Sequence, residues 1–107
     1  MKAIRIIPGQ RAEDIEVENS VEAMQEVVGG YIEVVNMPVN DMAILRDEEG
    51  LMKQKDYNCR IMGIDFVGTI LFVGTKGEEF TDVPTTAAKV EKYWLGRQGD
   101  GAPEKQD

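Results

Sequence analysis

The chain has 107 residues, the usual size of one domain, and its apolar share of 42% is enough for a modest core. With 20 acidic and 12 basic residues and no histidine, its net charge is −8, which repels a phosphate backbone and attracts basic partners. One cysteine, Cys59, excludes an internal disulfide, and neither a signal peptide nor a membrane-length apolar run is visible, so the expectation is a cytoplasmic protein without membrane contact.

The first predicted element is a strand over Ala3–Ile7, apolar and β-branched, stopped by Pro8. Its imperfect alternation suits a strand covered on both faces. A polar connection, Gly9–Asp14, leads to Ile15–Glu18, where Ile15 and Val17 alternate with Glu16 and Glu18. The two strands read as a hairpin, with the glutamates turned to water.

Asn19 or Ser20 can cap a helix over Ser20–Val28, and Asn19 with Glu22 has capping-box spacing. Val21, Met24, Val27 and Val28 make one apolar stripe, while Glu22, Gln25 and Glu26 face away. So short a helix needs tertiary packing to persist. Gly29 or Gly30 supplies a left-handed C-cap. A phosphate loop needs the reverse order, with the glycine turn between a strand and a following helix. The strand Tyr31–Met37 turns Ile32, Val34 and Asn36 to one side, the side expected to meet the helix.

Pro38–Asp41 is a turn, followed by a strand over Met42–Arg46. Asp47-Glu48-Glu49-Gly50 is a solvated turn: the residues after Gly50 do not supply the oxygen ligands of a calcium loop. Leu51–Arg60 is irregular and carries the one basic and aromatic cluster, Lys53, Lys55, Tyr57, Asn58 and Arg60. Two expectations stand for it: Leu51 and Tyr57 packed beneath a surface loop, or an interaction loop. Cys59 has no histidine to activate it and reads as a structural thiol. Asp65 reads as a cap on backbone amides.

Phe66–Val73 is the most hydrophobic stretch and the predicted central strand, with Gly68 marking a bulge or a close approach. Lys76–Glu79 forms a tight turn, and Phe80–Pro84 is a loop or short edge segment. A C-terminal helix is predicted over Thr85–Leu95, with Ala87, Val90 and Trp94 on its inner side. Residues 1–96 then make one domain and Arg97–Asp107 a disordered polar tail. The fold class is α+β in the order β-β-α-β-β-β-α. It has a mostly antiparallel sheet, one short helix on a sheet face and a C-terminal helix on the same layer or an edge.

Several short stretches, taken together, resemble a known family. Val28–Val35 (VGGYIEVV), Ala43–Leu51 (AILRDEEGL), Tyr57-Asn58 with Arg60, Gly68–Gly74 (GTILFVG) and Phe80–Pro84 (FTDVP), with Gln25 in the short helix, are similar to the domain-of-unknown-function family 3846. The resemblance covers about Ala3 to Pro84. It implies a setting in bacteria, phages and plasmids, and no particular reaction.

The absence of histidine removes the commonest general base and a common metal ligand. No catalytic, cofactor or metal residues are assigned. The favoured expectation is a small acidic accessory or protein-interaction module of a mobile element, without catalysis. Its candidate face is Glu48, Glu49, Tyr57, Asn58 and Arg60, its partner a protein, and a homodimer is open to it. One alternative is a nucleic-acid mimic that blocks a DNA-binding protein, with carboxylates in rows. Another is an enzyme using carboxylates alone, with Asp65 or Glu33 in a concave pocket and a displaced pKa.

Overall fold

The structure, a computed structural model, describes residues 1–38 and 41–96. The tail expected at Arg97–Asp107 lies outside the described residues. The fold is α+β, built, among the described residues, from eight strands in two antiparallel sheets, a short helix and a C-terminal helix.

The main sheet is made of β1 (Lys2–Ile6), β2 (Glu13–Glu16), β3 (Ile32–Asn36), β4 (Met42–Asp47), β7 (Ile70–Lys76) and β8 (Glu79–Thr81). Its order is β2-β1-β7-β4-β3, with β8 paired to β7 by a hairpin. β7 is the central strand. It pairs with β1 through Ile4↔Phe72 and with β4 through Ile44↔Phe72. The second sheet is a hairpin of β5 (Tyr57–Ile61) and β6 (Ile64–Val67).

Both faces of the main sheet are covered, and the two-residue period of a strand decides which side chain goes where. Ala3, Ala43, Leu45, Leu71 and Val73 turn to one face and bury Met24 and Val28 of helix α1 (Val21–Val28). Ile4, Ile6, Ile44, Ile70 and Phe72 turn to the other, where Cys59, Ile61 and Phe66 of the hairpin meet Ala87 and Val90 of the C-terminal helix. A fully buried side chain of the size of Phe66 or Phe72 contributes roughly 1.5–3 kcal/mol.

Ser20 is the N-cap of α1; its hydroxyl accepts from the Ala23 amide at 3.1 Å. Asn19 instead donates to the Phe80 carbonyl at 3.0 Å, tying the helix start to β8. Gly29 ends the helix at φ +82, its amide donating to the Gln25 carbonyl. Val21 is exposed and does not join the stripe.

The C-terminal helix α2 (Ala87–Lys89) runs on into a π-helical turn (Val90–Trp94). It lies on the face opposite α1, not on the same layer, because Val90 and Trp94 need the apolar side that the hairpin leaves open. Asp14 accepts from the Ala87 amide at 2.9 Å, and buried Glu91 accepts from the Ala12 amide. The start of β2 and the residue before it are thereby fastened to the C-terminal helix.

Three boundaries differ from expectation. The stretch read as an irregular loop contains β5, because Cys59 and Ile61 alternate inward against the sheet. The run Phe66–Val73 is broken at Gly68, whose φ of +75 turns the chain out of β6 and back into β7. The second strand lies two residues earlier than its alternation implies, at Glu13–Glu16.

Candidate functional site

One side of the molecule joins the start of β3, the β4–β5 connection and the outer face of the β5–β6 hairpin. It is organised by Asp47 at the end of β4. The Asp47 side chain is almost completely buried, and its carboxylate meets Lys53 Nζ at 2.8 Å and Lys55 Nζ at 2.7 Å. The Glu49 amide also donates to it, at 2.9 Å. Burial works against the charge, but these three donors outweigh it and hold the carboxyl well below the usual carboxylate range. The hydrogen bond to Asp47 in turn raises the Lys53 ammonium.

The same ammonium groups complete α1. Lys55 Nζ donates to the Val28 carbonyl at 3.0 Å and Lys53 Nζ to the Gly29 carbonyl at 3.3 Å. Cations at the carbonyl end of a helix satisfy groups left without an intrahelical partner. Gly30 makes the arrangement possible, because a Cβ there would lie 2.5 Å from the Asp47 carboxyl carbon. The sequence separates the two lysines from the helix-end carbonyls they meet by 24 and 27 positions, and nothing in the spacing of Asp47, Lys53 and Lys55 announces them.

The hairpin carries a second polar group. Arg60 donates from Nε and Nη2 to the two Asp65 oxygens, each at 2.9 Å, and the Tyr57 hydroxyl donates to Asp65 Oδ1 at 3.0 Å. Arg60 and then Tyr57 hold the Asp65 carboxyl below its ordinary value. Burial, with the Asp65 charge, raises the Tyr57 hydroxyl. Asp65 is thus a cross-strand partner and not a cap on backbone amides. Its displacement is toward the charged form, away from the range of a general acid or base at neutral pH. Glu33 is exposed and pairs with Arg46 at 3.0 Å, and Arg46 in turn stands 5.3 Å over the Phe66 ring. Glu33 and Asp65 share a small cavity of about 90 Å³, with Arg46, Glu48 and Leu51 in its wall.

Of the five residues expected at an interaction face, four are exposed in this region: Glu48, Glu49, Tyr57 and Arg60. Asn58 is not one of them. Its side-chain amide points inward and donates to the Ile6 carbonyl at 2.9 Å and the Gly68 carbonyl at 2.8 Å, fastening hairpin to sheet. Leu51, expected beneath the loop, is 81% exposed, and its neighbour Met52 is 80% exposed. Tyr31 and Tyr57 are 68% and 57% exposed. The region is continuous: the Tyr31 carbonyl accepts from the Glu48 amide, Glu48 shares a cavity with Leu51 and Asp65, and Asp65 accepts from Tyr57. Leu51 and Met52 escape sequence reading because an apolar pair in a loop resembles core by composition alone.

Among the described residues no group of three or more His, Cys, Asp or Glu could hold a metal ion, and no helix is long and apolar enough to cross a membrane. Glu13, Glu33, Asp47, Asp65 and Glu91 each face an arginine or lysine, so cations are interleaved with these carboxylates.

Fold and site define a small acidic α+β protein whose sheet is covered on both faces and whose prominent surface features are apolar side chains amid ion pairs. The chain belongs to the family described as domain of unknown function (DUF3846), whose model matches residues 1–95. Neither the curated proteins nor the solved structures yield a match to it.

Proposed function

We propose that the protein is a non-catalytic, cytoplasmic accessory module of a mobile genetic element. It binds a protein partner through the face formed by Tyr31, Leu51, Met52 and Tyr57 with Glu48, Glu49 and Arg60. Residues 1–96 act as the binding domain. The observation that carries the reading is the exposure of Leu51 and Met52, which stand in water beside a fully formed core. Large apolar and aromatic side chains rimmed by charges are the usual make-up of a protein-binding patch. The Asp47–lysine cluster supports it, because it fixes the connection that presents Leu51 and Met52. The mobile-element setting is what kinship with this family implies.

The test is affinity capture from cells carrying such an element, with three baits: the native chain, Leu51→Ala/Met52→Ala, and Tyr57→Ala/Arg60→Ala. Partner recovery should fall about tenfold or more with both double variants, as for loss of anchors worth over 1 kcal/mol each. Equal recovery by all three baits rejects this face.

A further inference from the structure

We infer that the outer edge of β3 receives an extended, basic peptide segment as an additional strand of the main sheet. This rests on the protein being a binding module, and its groove shares Tyr31 and Glu49 with the proposed face, but its test reads the β3 backbone and leaves Leu51, Met52, Tyr57 and Arg60 untouched.

The backbone register defines the edge. The Tyr31 carbonyl accepts from the Glu48 amide at 2.9 Å and the Met37 amide donates to the Met42 carbonyl at 3.0 Å, both toward β4. Alternate residues of an antiparallel strand turn their backbone groups to the same side. Glu33 and Val35 therefore bond to β4, while Ile32, Val34 and Asn36 turn their amides and carbonyls outward. Among the described residues no strand pairs with that side.

The two ends of the sheet are unlike. β2 carries Glu13, Asp14 and Glu16 in a four-residue strand, and such charges discourage a further strand. On β3 the residues whose backbone groups turn outward are uncharged, and Val34 is 43% exposed. A bare edge of this kind invites pairing unless a partner uses it.

Charge selects the occupant. On the α1 side, beside the start of β3, lies a groove of about 550 Å³ whose walls include Glu18, Glu22, Glu26, Glu49 and Tyr31, together with Lys53, whose ammonium is already paired with Asp47. A segment paired along β3 that continues beyond its first residue, Ile32, passes Gly30 and Tyr31 and so meets this groove. Lysine or arginine there meets the glutamates, with apolar residues between them. A second copy of the chain is the poorer occupant, since it would bring together two molecules of charge −8.

The test titrates the full chain with a capped, alternating lysine–valine heptapeptide, following backbone amide exchange and affinity. Exchange at Ile32, Val34 and Asn36 should slow about tenfold or more, and the peptide N-methylated at alternate amides should bind at least about tenfold more weakly. Val34→Pro removes an outward amide while sparing the β4 ladder, and should weaken binding similarly. Equal affinity for the methylated peptide, or no binding of either, overturns the proposal without involving the variant's folding. A dimer of the chain alone that Val34→Pro converts to monomer also overturns it, by giving the edge to a second copy. None of these outcomes bears on Leu51, Met52, Tyr57 or Arg60, so the edge and the proposed face stand or fall separately.

Discussion

Asp47 holds its carboxylate out of water against two ammonium groups, and its charge is worth keeping only while both remain. Because its folded pKa lies below the unfolded value of about 3.9, the unfolded chain binds the proton first as the pH falls. The stability it contributes is complete above that value and is lost as the pH drops toward the folded pKa. Asp47→Asn should therefore cost about 2 kcal/mol at neutral pH and flatten the loss of stability below about pH 4. Urea unfolding from pH 7 to pH 3 measures both, and an acid limb as steep in the variant as in the native chain would contradict the assignment. Asp65, also lowered, leaves some slope in both proteins.

A two-stranded hairpin is marginal by itself, so β5–β6 depends on what fastens it to the sheet. It buries Cys59, Ile61 and Phe66, and Asn58 bridges it to the carbonyls of Ile6 and Gly68. Asn58→Ala deprives those carbonyls of their donor and should lower stability by about 1–3 kcal/mol. Amide exchange should show protection falling more in β5 and β6 than in β7. A uniform loss across both sheets would mean that the hairpin opens only with the whole protein. This dependence also explains why β5 was hidden. Its five residues contain two inward apolar side chains among Tyr57, Asn58 and Arg60, a pattern that alternation alone does not separate from a loop.

The whole molecule is one sheet serving two cores. β7 gives Leu71 and Val73 to the α1 side and Ile70 and Phe72 to the hairpin side, so neither core exists without it. Met24→Ala and Phe66→Ala, on opposite faces, should each cost about 3–4 kcal/mol, and both variants should still unfold in a single transition. Calorimetry decides this, and separate melting of the two faces in either variant would contradict it.

The chain's own pattern determined the elements whose side chains repeat locally. The Met24–Val28 stripe, the glycine stop at Gly29, the strands around Ile4, Ile44 and Phe72, and the docking side of Val90 and Trp94 are periodicities that a backbone of fixed pitch must honour. Only the tertiary structure decided that the C-terminal helix lies opposite α1, that Asp47 draws Lys53 and Lys55 onto the end of α1, that Asn58 faces inward and that Leu51 faces water. Those outcomes depend on which distant groups compete for the same buried volume or the same proton donor. That competition acts through space, and the order of residues along the chain does not encode it in any local repeat.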